Sequence, residues 1–500
     1  MKIIISKRSG LLHRVFNENR EITGMLAALL VLFLLLRIPF PGSLSSVGAG
    51  LLAVLGGMLV IWLSEAVGYS TSSFFLIGLM TLVIGHCRNP ATNQGTIGTK
   101  EALSMALSGF GSEAWILVTA ALILAAAFME TGLGERLVYG VLLAAGSNPG
   151  RILAGVLVLA FILSIFIPSQ VANAALLSAV CVGIIEAYNI SKKNNFAKSL
   201  LLLVAFGTGI AGMGIQTSGA PTIQTANYLS EAGYSVTWLQ WATYGFPFAV
   251  ASGAALLFLI RKFFPTNLKK LPGGRQVIRQ KLNQLGPVKK VEIKLAAILL
   301  LTTFLWSTGQ KIHALDSSTV AVLAVMAIFA PGIRISTWER MVEKINWGTL
   351  MLFGAAISLG QWLLKSGAAD WVALQTIDGL NLKSFPPAAL IGAAVFLFSL
   401  MSLTFSARAA AVAALVPAAI GFAEGLSSRG GNVLGMSMIL YYTIQFSVLL
   451  PVNTPMSMIA YATETFTARD MLKIGIPLLF ILFLLTMFFA ATYWRWIGII

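Results

Sequence analysis

Ile167-Pro168-Ser169-Gln170-Val171-Ala172-Asn173-Ala174-Ala175 is a polar, helix-breaking stretch inside an apolar region, and the chain carries a second version of it. Downstream of the first lie Gly212-Met213-Gly214 and Gly219-Ala220-Pro221-Thr222. The second version is Thr404-Phe405-Ser406-Ala407-Arg408-Ala409-Ala410-Ala411, followed by Pro451-Val452-Asn453-Thr454-Pro455-Met456-Ser457. Ser169 precedes Pro221 by 52 residues and Ser406 precedes Met456 by 50, so the two versions run nearly in step. Interrupted hydrophobic segments at matching places in two halves point to the binding site of a secondary transporter.

The surroundings of these stretches are membrane-like. The chain has 500 residues, 57% apolar and only 10% charged, whereas soluble domains carry about 25% charged residues. Apolar runs of spanning length recur throughout. We read eleven crossings, at 22–40, 48–63, 71–86, 114–130, 199–230 (interrupted), 238–260, 293–309, 317–331, 347–364, 433–463 (interrupted) and 471–494. Segments 152–185 and 387–421 carry the serine-centred stretches in their middles and read as re-entrant hairpins. Met1–Arg20 is basic, and no small-residue cleavage pattern follows the run Ile22–Leu36, so a retained first span is expected.

The net charge of +16 follows this topology. With the N-terminus in the cytoplasm, the inside segments hold 25 of the 34 Lys and Arg, the outside segments hold 8, and Arg408 is the remaining one. That bias fits the positive-inside rule and an inner (cell) membrane location, with the lipid bilayer and not nucleic acid as the basic surface's partner. The expected domains are 1–47 (cytoplasmic N-terminus and extra span), 48–260 (first repeat), 261–292 (basic cytoplasmic linker) and 293–500 (second repeat). Each repeat then holds five crossings and a hairpin, and an odd number of crossings inverts one repeat against the other. The expected fold is an all-α polytopic membrane protein with two inverted repeats.

Non-helical backbone at mid-membrane survives only when buried in protein or lining a wet cavity. Half-helix N-termini there favour an anion through their N–H groups and dipoles. A small anionic substrate is therefore expected. Three His and two Cys offer no metal cluster or disulfide pattern. No Asp lies inside a predicted span or hairpin, so the carboxylate clusters of an intramembrane phosphotransferase or protease are missing. We expect no catalytic residues, no metal site and no cofactor. A channel would show rings from oligomerised repeats and not two inverted hairpins. A sensor or assembly factor on a transporter scaffold remains the alternative.

Further stretches support a family resemblance: Trp62-Leu63-Ser64-Glu65-Ala66, Ala106-Leu107-Ser108-Gly109-Phe110, Glu130-Thr131-Gly132-Leu133-Gly134-Glu135-Arg136, Asn346-Trp347-Gly348-Thr349 and Asp470-Met471-Leu472-Lys473-Ile474-Gly475. From about residue 48 to 490 this ordered set resembles the divalent anion:sodium symporter family of dicarboxylate, citrate and sulfate carriers. The resemblance implies a homodimer whose transport domain moves like an elevator past a scaffold. It also implies a Ser-Asn-Thr triplet at each hairpin tip and a Thr-Pro loop closing each site. Ser169 and Ser406 match the triplet serines, Pro221 the first loop, and Thr454 and Pro455 the second.

The departures are as informative. Gln170 and Ala407 stand for the triplet asparagines, Val171 and Arg408 for the threonines, and Thr222 and Ser457 for the loop asparagines. The substrate-binding candidates are Ser169, Gln170, Val171, Ser218, Gly219, Pro221, Thr222, Ser406, Ala407, Arg408, Thr454 and Pro455. A cation site would draw on Ser169, Gln170, Ser402, Ser406 and Asn453. Asn173, Gln216, Thr217, Gln224 and Asn227 are weaker candidates. The departures remove oxygen ligands, so sodium coupling is expected to be weak or absent, with sodium against proton coupling left open. Arg408, costly at mid-membrane, is expected to supply a fixed positive charge instead.

Overall fold

The computed structural model describes residues 21–40, 44–89, 95–266, 268, 270–379, 381, 385–405, 407–427 and 432–500. A first helix, α1, covers 21–37. Ten helices follow: α2 (Ser46–Ser64), α3 (Tyr69–Gly85), α4 (Thr99–Leu107), α5 (Glu113–Thr131), α6 (Leu133–Ala145), α7 (Pro149–Phe166), α8 (Gln170–Ala187), α9 (Asn195–Met213), α10 (Ala220–Glu231) and α11 (Trp238–Phe263). After the linker helix α12 (Gly274–Gln284) come α13 (Lys290–Thr308), α14 (Ser317–Phe329), α15 (Trp338–Val342), α16 (Trp347–Lys365), α17 (Ala368–Gly379), α18 (Pro387–Leu403), α19 (Arg408–Gly425), α20 (Val433–Phe446), α21 (Pro455–Tyr461) and α22 (Ala468–Ala491). A short turn of helix, α23 (Tyr493–Trp496), closes the chain.

The second set repeats the first. The helix pairs α2/α13, α5/α16 and α8/α19 have equal lengths of 19, 19 and 18 residues. In α11 and α22 a proline, Pro247 and Pro477, occupies the same position, nine residues after Trp238 and after Ala468. Both crossings expected to be interrupted are broken, one as α9–α10 and the other as α20–α21. The breaks follow from local chemistry: Gly214 and Gly219 flank the first, Pro451 and Pro455 the second, and proline offers no N–H to continue a helix.

Among the described residues ten helices are long and apolar enough to cross a membrane, and α3, α14, α18 and α20 are shorter apolar helices. The ten include α7, α8 and α19, which the sequence assigns to hairpins. Length alone would let these arms span. Burial argues otherwise, because Ile167, Pro168, Ser169 and Gln170 at the first tip are all buried, whereas a turn at a membrane surface would meet water. Helix α9 is the most enclosed of the ten, with 89% of its window buried, and α13 the least, with 28%. The broken helix therefore lies at the centre and α13 faces outwards.

Ion pairs and caps anchor the periphery. Arg136 of α6 donates to Glu292 of α13 at 2.5 and 3.2 Å and to the carbonyls of Gly286 and Pro287. Lys198 pairs with Asp470 at 2.8 Å, and Lys344 with Glu130 at 3.0 Å. Ser112, Asn148, Thr237, Asn346 and Thr467 cap their helices through side-chain oxygens, as short polar residues do.

Candidate anion site at the helix breaks

Four helix N-termini lie in the buried interior, at the starts of α8, α10, α19 and α21. Helix α10 packs on α19, and α21 packs on α8 and α9, so each broken helix places its second piece against the other half's hairpin. Lys192, just past α8, donates to the Thr463 carbonyl just past α21 at 3.2 Å. Tyr234, just past α10, lies beside Glu424 at the end of α19. The C-terminal ends of each pair meet, so the members run parallel.

In the first half Ser169 is the N-cap of α8, its Oγ accepting the Ala172 N–H at 3.2 Å. Gln170, the first residue of α8, is only 4% exposed, and its Nε2 donates to Ser218 Oγ at 3.3 Å. Ser218 Oγ donates in turn to the Gly212 carbonyl at 2.5 Å. The amide fits only because position 212 lacks a side chain: a Cβ there would lie 2.2 Å from Gln170 Nε2. Thr222 donates to the Gly219 carbonyl at 2.7 Å. Gln170, Ser218, Gly219 and Thr222 thus form one cluster at the α9–α10 break, with Pro221 half-buried beside it. Val171 points away and is 42% exposed.

In the second half Arg408 is the first residue of α19 and 3% exposed. Its Nη1 donates to the Ile444 carbonyl at 2.6 Å and to Ser402 Oγ at 2.8 Å, and its Nη2 donates to the Ser447 carbonyl. These carbonyls end α20, where intrahelical partners run out and the helix dipole is negative. The guanidinium compensates both, which offsets the cost of burying its charge. Among the described residues its Nε has no partner, and neither does Gln445 Nε2, which lies with Thr454 and Met456 in a small cavity. Asn453 is fully used: its Oδ1 accepts the Leu449 and Leu450 N–H groups, and its Nδ2 donates to the Leu403 and Phe405 carbonyls. Thr454 caps α21 through the Ser457 N–H, and Pro455 follows it. Ser406 lies outside the described residues.

Gln170 is the first residue of α8 and Arg408 the first residue of α19, and both are buried whereas Val171 is open. Ser169 stands at the cap position of α8 and Ala407 at that of α19.

The cation candidates among the described residues, Ser169, Gln170, Ser402 and Asn453, are committed to protein partners. Ser402 donates to the Ile444 carbonyl at 2.9 Å while accepting from Arg408. Ser169 is engaged in capping, Gln170 with Ser218, and Asn453 with four backbone groups. The sequence did not single out Ile444, Ser447 or Gln445. The first two act through backbone carbonyls, which carry no residue signature, and Gln445 resembles any polar residue between helices.

Among the weaker candidates, Gln216 Nε2 donates to the Val236 carbonyl and Thr217 accepts from the Trp238 indole, both contacts within the first half. Gln224 donates to Tyr228 Oη, which donates to the Ala356 carbonyl of α16 at 2.7 Å. Asn173 is fully buried, and among the described residues neither of its amide atoms has a partner. A polar cavity of about 200 Å³ lies between α5, α10 and the α13–α14 turn, lined in part by Gln216, Asn227, Glu113 and Asp316. Its acidic lining suits no anion, and neither Ser169 nor Arg408 lines it. Among the described residues no three His, Cys, Asp or Glu side chains group to hold a metal.

Residues 19–500 match the family described as the sodium:sulfate symporter transmembrane region. A membrane protein of Cupriavidus necator is 36% identical over 478 residues, covering 95% of this chain and 93% of its own. The sodium-dependent dicarboxylate transporter SdcS of Staphylococcus saprophyticus is 25% identical, covering 91% of this chain and 88% of its own. The crystal structure of the Alcanivorax borkumensis YdaH transporter superposes with a TM-score of 0.54 at 15% identity, covering 86% of this chain and 98% of that one, a likeness of fold.

Proposed function

The chain belongs to the sodium:sulfate symporter family, and from that premise we propose a secondary transporter of small divalent or polyvalent anions that carries its positive charge in Arg408. It is a multi-pass membrane protein and a transporter, not an enzyme. In our reading the substrates are of the dicarboxylate, tricarboxylate, sulfate or sulfonate kind. The single observation that carries the sodium-independent part is the Arg408 guanidinium on the Ile444 and Ser447 carbonyls and the Ser402 hydroxyl. Unwound carbonyls of this type coordinate coupling cations in broken-helix transporters. Here a tethered cation holds them, and a tethered cation cannot carry the energy of an ion gradient. Exchange or facilitated flux follows.

The same reading divides the chain into residues 48–260 and 293–500 as inverted repeats joined by the basic segment 261–292. It places the N-terminus in the cytoplasm and the protein in the inner (cell) membrane. It takes the working unit to be a homodimer whose hairpins and broken helices move like an elevator past the remaining helices. Tyr228 of α10, bonded to Ala356 of α16, then lies on the sliding surface.

The test is uptake into proteoliposomes of a panel of dicarboxylates, tricarboxylates, sulfate and sulfonates, with and without an inward sodium gradient. Uptake indifferent to sodium and raised by internal anion is the expected result. Sodium-dependent uptake by the native protein would overturn the fixed-charge reading. Unchanged anion affinity in Arg408→Thr would do the same.

A further inference from the structure

Helices α1, α2 and α3 enclose a groove remote from the helix breaks. Helix α1 packs along α2 through small residues. A Cβ at Gly57 would lie 3.3 Å from Leu32 and 3.4 Å from the Ala28 carbonyl, and one at Gly24 would lie 2.6 Å from Ser64 Oγ. The start of α1 therefore sits beside the end of α2. Helix α3 packs on α2 as well, but it does not close on α1. At Gly78 of α3 a Cβ would meet no atom within 4 Å. The result is a groove of about 430 Å³, with Leu29 and Leu32 of α1 on one wall, Phe74 and Leu82 of α3 on the other, and Gly57 and Gly78 between them. Its lining residues are all apolar. Glycine inside a helix is destabilising relative to alanine, and no neighbour in the fold takes up the space that Gly78 leaves.

Depth and width limit what can occupy the groove. Along α1 the lining runs from Met25 to Leu32, about 6 to 17 Å from the helix start at 1.5 Å per residue. A bilayer's hydrocarbon core is about 30 Å thick, so the groove lies within one leaflet. A helix about 10–12 Å across would need about twice the groove's volume over that length. A single acyl chain needs far less.

Charge marks the lipid. Met1–Arg20 holds five Lys and Arg against one Glu, and Arg20 is bonded to the first residue of α1. Basic residues that directly flank a membrane-spanning helix attract the anionic headgroups of the adjacent leaflet. That leaflet is the one in which the groove opens.

We propose that the groove between α1 and α3 is a binding site for an anionic phospholipid. One acyl chain lies over Gly78, and the headgroup meets the basic residues that precede α1. The chain fills the contact that α1 and α3 do not make with each other.

The experiment uses the full-length protein in phosphatidylcholine vesicles, with a trace of phosphatidylglycerol or phosphatidylcholine whose acyl chain carries a photoactivatable diazirine. Labelled residues are read by peptide mass spectrometry. The phosphatidylglycerol probe is expected to label segments 25–32 and 74–82 at least roughly fivefold more than the phosphatidylcholine probe. Gly78→Leu fills the groove without a clash and is expected to lower that labelling severalfold, leaving labelling of the outward-facing α13 unchanged. Neutralising Lys7, Arg8 and Arg14 to Gln, outside the helices that form the groove, is expected to abolish the preference for phosphatidylglycerol and serves if Gly78→Leu does not fold. Equal labelling by the two probes in the native protein would overturn the proposal. So would labelling that Gly78→Leu leaves intact, or a disulfide between two copies of Gly78→Cys in place of lipid labelling, which would give the groove to a second copy of the chain.

Discussion

Gln170 and Arg408 each open the second arm of a hairpin, and each sends its side chain into the helix break that follows. Gln170 donates to Ser218 at the α9–α10 break, and Arg408 donates to the Ile444 and Ser447 carbonyls at the end of α20. One is neutral and the other charged, so the two halves share a geometry while only the second carries a fixed charge.

Removing that charge strands its partners. Arg408→Ala leaves the Ile444 and Ser447 carbonyls and the Ser402 hydroxyl buried with fewer donors, at about 1–3 kcal/mol for each group left unsatisfied. We expect the largest fall in melting temperature of any single change at the site, read by thermal unfolding in detergent. Arg408→Lys should recover part of it, because a lysine keeps the charge but lacks the planar fork.

Gly212 and Gln170 should be energetically coupled. Gly212→Ala sets a Cβ 2.2 Å from Gln170 Nε2 and displaces the amide from Ser218. Gln170→Ala removes the obstacle, so the double variant should be less destabilised than the sum of the singles, by about 0.5–3 kcal/mol in a double-mutant cycle. Additive effects would show that the amide is not held where the structure places it.

The Arg136–Glu292 pair fastens α6 to the start of α13. Glu292 is 2% exposed, so Arg136→Ala leaves a carboxylate buried without its main partner. Arg136 keeps contact with water, so the expected cost is that of charged hydrogen bonds, about 1–3 kcal/mol. Arg136→Ala together with Glu292→Gln should recover a measurable part of the lost stability in the same unfolding assay.

A pH-dependent contribution is expected from Asp316, the cap of α14. Burial pushes its carboxyl up, but the Thr319 hydroxyl and the Thr319 and Ser318 N–H groups outweigh burial and hold it below the ordinary carboxylate range. A depressed folded pKa contributes stability that is fully present above the unfolded value of about 4 and is lost as pH falls through the folded value. Asp316→Ala should cost about 1 kcal/mol at neutral pH. The gap to the native protein should narrow below about pH 4, as seen in melting temperatures across pH.

The Ser169 region shows how far the sequence could be read. Proline, glycine and serine in an apolar run announce a break, and the break came where they stand. Pro247 and Pro477 likewise reported a repeat that the helix lengths reproduce. The use of each helix start was less legible. Gln170 opens α8 and Arg408 opens α19, yet which groups the two side chains meet depends on packing and not on the letters beside them.

What the sequence determined by itself was the membrane character, the helix breaks and their duplication, because hydropathy and proline chemistry act within a few residues of the chain. What only the tertiary structure decided was the use of the polar side chains at those breaks. Gln170 meets Ser218 across 48 residues and Arg408 meets Ser447 across 39. Contacts at such separation depend on how helices pack. Two of Arg408's partners are backbone carbonyls, which every residue possesses and which only a helix end leaves unpaired.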